Sequence, residues 1–130
     1  MTVVVDASTV VAALLDTGPV GRWAESVIAA GALAAPHFMP VEVANILRRS
    51  VLAKNVSGEI GARAHRNVLD LRVELFPYEP FATRVWELRA NITAYDAWYV
   101  AVAETFDAQL ATLDRALVRA SGPRCDFATP

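Results

Sequence analysis

Four acidic residues stand where a carboxylate does little for folding and much for chemistry: Asp6, Glu42, Asp96 and Asp114. Asp6 closes the apolar run Val3-Val4-Val5 and is followed by the small residues Ala7-Ser8. Such a run predicts a strand buried on both faces, as in a parallel sheet. Asp6 then sits at the strand's carboxyl end, where open α/β sheets place their ligands. Asp114 follows the short strand expected over Gln109–Thr112 in the same way. Glu42 and Asp96 fall in the first turns of two expected helices. In a parallel sheet, strand carboxyl ends and the helix N-termini that follow them share one edge. Four acids far apart in sequence therefore converge there.

Like charges gathered so closely raise one another's pKa and destabilise the fold. A divalent cation removes that penalty. Mg²⁺ takes hard oxygen ligands and keeps waters, so a few carboxylates with open positions suit it. Two ions about 3.5–4 Å apart activate a water and steady the leaving oxygen of a phosphodiester, with no nucleophilic side chain. The chemistry expected is that of a metal-dependent nuclease. Taken singly, the acids have ordinary explanations: Asp96 as a helix cap, Glu42 as a charge favoured by the helix dipole, Asp114 as a turn residue. Asp6 is the hardest to explain that way, because it ends a buried run.

Ser8 and Thr112 are placed to hydrogen-bond these carboxylates, or else to cap a helix and finish a strand. Asn45 lies one turn from Glu42 and could orient it. Arg49, a turn further, could meet a phosphate. His37 and His65 have no metal-like spacing and read as surface or structural residues. Trp23, Trp86, Trp98 and Tyr99 sit at helical spacings and read as core or dimer contacts.

The elements that must position these residues follow in order. After the strand Val3–Asp6 comes a short helix, Val10–Leu15, capped by Ser8 or Thr9. Asp16-Thr17-Gly18-Pro19 is a turn, and a helix over Val20–Ala30 ends near Gly31. A strand over Leu33–Ala35 leads to a helix over Pro40–Lys54, with Pro40 in its first turn. Ser57 caps a helix over Gly58–Leu71. Val73–Pro77 is an edge strand, because Pro77 cannot donate to a ladder. A helix runs from Pro80 to Arg89. Thr93-Ala94-Tyr95-Asp96 resembles a capping box with Asp for Glu. The helix it opens, Asp96–Phe106, is apolar nearly all round and is expected to be buried. A short helix over Arg115–Arg119 and a last strand over Asp126–Ala128 complete the chain. This alternation predicts an α/β fold: one domain over residues 1–130, with a central, mostly parallel sheet flanked by helices.

Bulk properties agree with one globular domain: 130 residues, 55% hydrophobic and 20% charged. A net charge of −2 gives no global nucleic-acid signature. The stretch from Arg48 to Arg72 is nonetheless basic, with six basic residues against two acidic ones, which fits a protein that holds cations and also touches phosphates. One cysteine, Cys125, excludes an internal disulfide. No signal peptide and no apolar run near the ~20 residues of a membrane span are seen. A cytoplasmic protein without membrane association is expected.

With these residues in place, the chain resembles the PIN-domain family, and within it the VapC toxins of bacterial type II toxin–antitoxin pairs. The segments VVVDASTVVAALL, PVEVANILRR, TAYDAWYVAVAE and LATLDRAL carry the resemblance, in that order and over nearly the whole chain. By analogy the family's metal-site acids fall on Asp6, Glu42, Asp96 and Asp114, and the supporting hydroxyl of the last motif falls on Thr112. The resemblance implies an endoribonuclease dependent on Mg²⁺ or Mn²⁺ that cuts structured cellular RNA, of the tRNA or ribosomal RNA class. It also implies a homodimer and a VapB-type antitoxin that blocks the site. Two other readings compete. An aspartyl-nucleophile phosphatase would use Asp6, but its expected second Asp is Ser8 here, and the only lysine, Lys54, lies in a basic helical segment. A non-catalytic binding or scaffold domain of the same fold would keep the acids without using them.

Overall fold

The computed structural model describes all 130 residues. Five strands form one sheet: β1 (Thr2–Val5), β2 (Ala32–Pro36), β3 (Val73–Phe76), β4 (Gln109–Ala111) and β5 (Phe127–Ala128). The order across the sheet is β3-β2-β1-β4-β5, and every pair is parallel. Val3 to Val5 of β1, Leu33 to Pro36 of β2, and Leu110 and Ala111 of β4 are buried. These strands carry no polar alternation because helices cover both faces of the sheet.

The chain runs outward from β1 to β2 and β3, then returns to add β4 and β5 on β1's other side. The direction of winding reverses between β1 and β4. A crevice opens at such a reversal, outside the carboxyl ends of the strands. Asp6 follows β1 directly and Thr112 follows β4 directly, so the two residues straddle it.

The helices are α1 (Ala7–Leu15), α2 (Pro19–Ala29), α3 (Met39–Leu52), α4 (Gly58–Asp70), α5 (Ala82–Glu87), α6 (Ala94–Thr105) and α7 (Arg115–Arg119). Ser57 caps α4, accepting the Ile60 N–H at 3.1 Å, as its position suggests. Helix α6 is the buried one: Ala97 and Tyr99 through Ala103 are almost without exposure. Gly21 lets α2 fold back onto the end of α1, since a Cβ there would lie 1.7 Å from the Asp16 carbonyl oxygen. No helix is long and apolar enough to cross a membrane.

Some details depart from expectation. Helix α1 starts at Ala7, and its cap is Asp6, not Ser8 or Thr9, because Asp6 Oδ1 accepts the Thr9 N–H at 3.0 Å. The helix expected over Pro80–Arg89 is a 3₁₀ turn over Glu79–Phe81 followed by the short α5. The sheet is wholly parallel. Trp86 is not a core residue: it is exposed, with the Arg89 guanidinium 4.8 Å above its ring.

Candidate active site

The site is built on the Asp6 carboxylate. A buried carboxylate needs donors on its lone pairs, and Asp6 has three. The Ser8 hydroxyl donates to Oδ1 at 2.6 Å, the Thr9 N–H donates to the same oxygen, and the Thr112 hydroxyl donates to Oδ2. Two come from the first turn of α1, so the strand-to-helix turn itself orients the side chain. The third crosses from β4. Burial raises the Asp6 pKa above the usual carboxylate range, against the lowering effect of these hydrogen bonds. The same network pins the loop after β4: the Leu113 N–H donates to Ser8 Oγ at 3.1 Å and the Asp114 N–H to Thr112 Oγ1 at 3.0 Å.

Asp114 is exposed and caps α7, with Oδ1 accepting the Ala116 and Leu117 N–H groups at 2.9 and 3.1 Å. Its ordinary role as a cap is therefore real, and it occupies one oxygen of the two. Asp96 stands in the first turn of α6. The cap there is Thr93, whose hydroxyl accepts the Asp96 N–H at 3.2 Å. The Asp96 carboxylate is raised in pKa by burial first, then by the negative charges of Asp114 and Asp6. Glu42, in the first turn of α3, is raised by burial first; the Tyr99 hydrogen bond opposes this, and the charges of Asp6 and Asp96 add to it. Each of the four acids thus lies within electrostatic reach of at least one other at the carboxyl edge of the sheet.

No cation of the chain answers them. Both ion pairs belong to Arg84, with Glu87 at 3.4 Å and Glu104 at 2.8 Å. Arg49, exposed on α3, is a basic group whose charge reaches Glu42 and lowers its pKa slightly against the larger raising effects. Asn45 is exposed and makes no side-chain hydrogen bond, so it does not orient Glu42. That task falls to Tyr99, whose hydroxyl donates to Glu42 Oε1 at 2.8 Å. In the sequence Tyr99 reads only as packing. Its signal is nonetheless there: a phenol in an otherwise apolar buried helix needs a partner for its hydroxyl.

The donor set is entirely carboxylate oxygen, the chemistry of a hard cation. No three His, Cys, Asp or Glu side chains stand close enough to share one ion in this arrangement. The acids therefore suit an ion that takes one or two carboxylates and retains several waters, as Mg²⁺ does. Two clefts open beside them. One, of about 520 Å³, is lined by Asp96 and Asp114 together with Arg89, Asn91 and Thr93. The other, of about 470 Å³, runs between α1 and α3 and is lined by Ser8 and Arg49 with Val11, Leu15, Ile46 and Leu113. Lys54 lies beyond the far end of α3, which carries about 15 Å of helix past Glu42, so it is not placed to serve Asp6 as an aspartyl phosphatase requires. The Cys125 thiol, pushed up to about 11 mainly by burial, is no nucleophile.

Comparison with known proteins agrees on one family. The family model for the PIN domain matches residues 3–123. Ribonuclease VapC9 of Mycobacterium tuberculosis is 39% identical over 123 residues, spanning 95% of this chain and 94% of that one. Among solved structures, PAE2754 from Pyrobaculum aerophilum superposes with a TM-score of 0.71 at 22% identity, covering 98% of this chain and 83% of that one. VapBC2 from Rickettsia felis, bound to a DNA fragment from its promoter, superposes with a TM-score of 0.69 at 14% identity, covering 99% and 98%. At these identities the two structures speak for the fold.

Proposed function

The chain belongs to the PIN-domain family, among the VapC ribonucleases, and from that premise we propose that it is a Mg²⁺- or Mn²⁺-dependent endoribonuclease toxin of a type II toxin–antitoxin module. One observation carries the reading beyond the family. Asp6, Glu42 and Asp96 are raised in pKa chiefly by burial, Glu42 and Asp96 also by neighbouring carboxylates, and no ion pair of the chain involves them or Asp114. A set of this kind gains from a hard cation what no residue of the chain supplies.

In this reading an ion would be held by one or two carboxylates among Asp6, Glu42, Asp96 and Asp114, with the remaining acids completing the site's negative charge. Bound there, it supplies charge neutralisation and water activation for phosphodiester hydrolysis. The chain's own residues do the rest. Ser8, Thr9 and Thr112 fix Asp6 in one orientation. Thr112 also receives the Asp114 N–H, so one hydroxyl links the end of β1 to the loop that carries Asp114. Arg49, exposed beside the cleft that Ser8 shares, is placed for an RNA phosphate. The substrate is structured cellular RNA of the tRNA or ribosomal RNA class. The protein works in the cytoplasm as a homodimer and is held in check by a VapB-type antitoxin. The likeness to a VapBC pair supports that partner through the fold.

The test is incubation of total cellular RNA with the purified, antitoxin-free protein in Mg²⁺, in Mn²⁺ and in EDTA. Discrete cuts that EDTA abolishes are expected. A folded protein that leaves the RNA intact under all three conditions favours the non-catalytic domain.

A further inference from the structure

Glu42 differs from Asp6 in how it is held. Asp6 has three donors, two of them on the adjoining turn. Glu42 has a longer side chain, with one more rotatable bond to fix, and a single side-chain hydrogen bond, from Tyr99. Tyr99 is well suited to hold it. It is 1% exposed, and its ring lies against Phe38, with centroids 5.4 Å apart and planes at 58°. Phe38 itself stacks on Trp98 at 5.3 Å. The ring is therefore held against the turn that opens α3. Its hydroxyl donates to Glu42 Oε1, which leaves Oε2 without a side-chain partner. Tyr99 also lies one turn after Asp96 on α6, so a single rigid helix sets one acid directly and a second through a phenol.

Resting on the reading of the four acids as a cation site, we propose that Tyr99 is a positioning residue: its hydroxyl holds Glu42 by Oε1 and leaves Oε2 free to serve as a ligand. Loss of a residue that orients a metal ligand from behind costs about 10–100-fold in metal affinity. Replacement of the hydroxyl by hydrogen keeps the ring and its packing and removes only the tether.

The experiment is Mn²⁺ binding by calorimetry to the folded wild type and to Tyr99→Phe, Glu42→Ala and the double variant, beside thermal unfolding of the same four proteins without metal. Tyr99→Phe is expected to weaken Mn²⁺ about 10-fold, and to add nothing further in the Glu42→Ala background. In metal-free unfolding the two substitutions should be non-additive, because each removes the same hydrogen bond. Wild-type Mn²⁺ affinity in Tyr99→Phe, or additive shifts in the metal-free melting temperature, would overturn the proposal. Should the wild type bind no Mn²⁺, the reading of the site as a metal centre fails, and the proposal falls with it. The metal-free cycle would then still show whether Tyr99 holds Glu42. A Tyr99→Leu variant, which removes ring and hydroxyl together, separates packing from tethering: only the missing ring should distinguish it from Tyr99→Phe.

Discussion

The Thr112 hydroxyl, at the end of β4, donates to Asp6 Oδ2, at the end of β1, across 106 positions of sequence. The two strands are parallel neighbours on either side of the point where the sheet reverses its winding. The bond therefore ties together the two halves of the crevice and orients the most buried of the acids. Thr112 is itself fully buried and accepts the Asp114 N–H, so its hydroxyl serves two of the four acids at once.

Thr112→Val keeps the shape and removes both bonds. It leaves a buried charge short of one donor, and a destabilisation of about 1–3 kcal/mol is expected. Urea unfolding of the metal-free protein measures it. A change below about 0.5 kcal/mol, the level of an ordinary surface substitution, would show that the hydroxyl does not support Asp6.

The acids also fix how stability follows pH. Asp6, Glu42 and Asp96 all have folded-state pKa values above their ordinary ones, mainly through burial. A raised carboxyl pKa means that the folded state binds protons more readily than the unfolded chain. Its contribution is present below the unfolded value and is lost as pH rises through the folded one. The metal-free protein should therefore gain stability from these groups as pH falls from neutrality towards their ordinary values, about 4. Asp6→Asn should show a shallower gain over the same window. Glu104 has the opposite tendency: burial would raise it, but the hydrogen bonds from Arg84 and the Arg124 backbone outweigh that and lower it. Because Glu104 is the same in both proteins, the comparison cancels it. Equal slopes in wild type and variant would show that Asp6 does not set the pH dependence.

Metal should act through the folded state alone. At a Mg²⁺ concentration about 100 times its dissociation constant, mass action adds about 2.7 kcal/mol. A rise in melting temperature on adding millimolar Mg²⁺, reversed by EDTA, is expected for the wild type and not for Asp96→Asn. An equal rise in both would place the ion elsewhere.

Arg49 is exposed, and it is the basic residue felt at Glu42. Arg49→Ala should weaken RNA binding and reduce the salt slope by about 0.7, the value for one phosphate neutralised on a single strand. Fluorescence anisotropy over a salt series, on the metal-free protein so that the RNA stays intact, reads both. An unchanged slope would take Arg49 off the phosphate path.

Much of this arrangement is legible in the chain itself. The run Val3 to Val5 ending on Asp6 declares a buried parallel strand, and the alternation of elements declares the sheet edge where the acids gather. Pro77 marks β3 as an edge strand, and β3 is one. What the sequence hides are pairings between elements. Asn45 looks like Glu42's partner because it lies one turn away on the same helix. The actual partner, Tyr99, comes from α6, which only the fold brings beside α3. The start of α1 is hidden for a related reason: Asp6 is both a candidate site residue and the cap, and the local pattern shows one of those roles at a time. The helix expected over Pro80–Arg89 breaks up because Pro80 lies in a 3₁₀ turn before α5 begins.

If the four acids act together as one hydrolytic centre, removing the charge of either Asp6 or Asp96 should stop it. The rate of RNA cleavage in Mg²⁺ should be compared among wild type, Asp6→Asn and Asp96→Asn, with circular dichroism to show that each is folded. A fall of at least about 100-fold in both folded variants is predicted, since each removes a charge that holds the ion. Cleavage within a few-fold of wild type in either folded variant would contradict it.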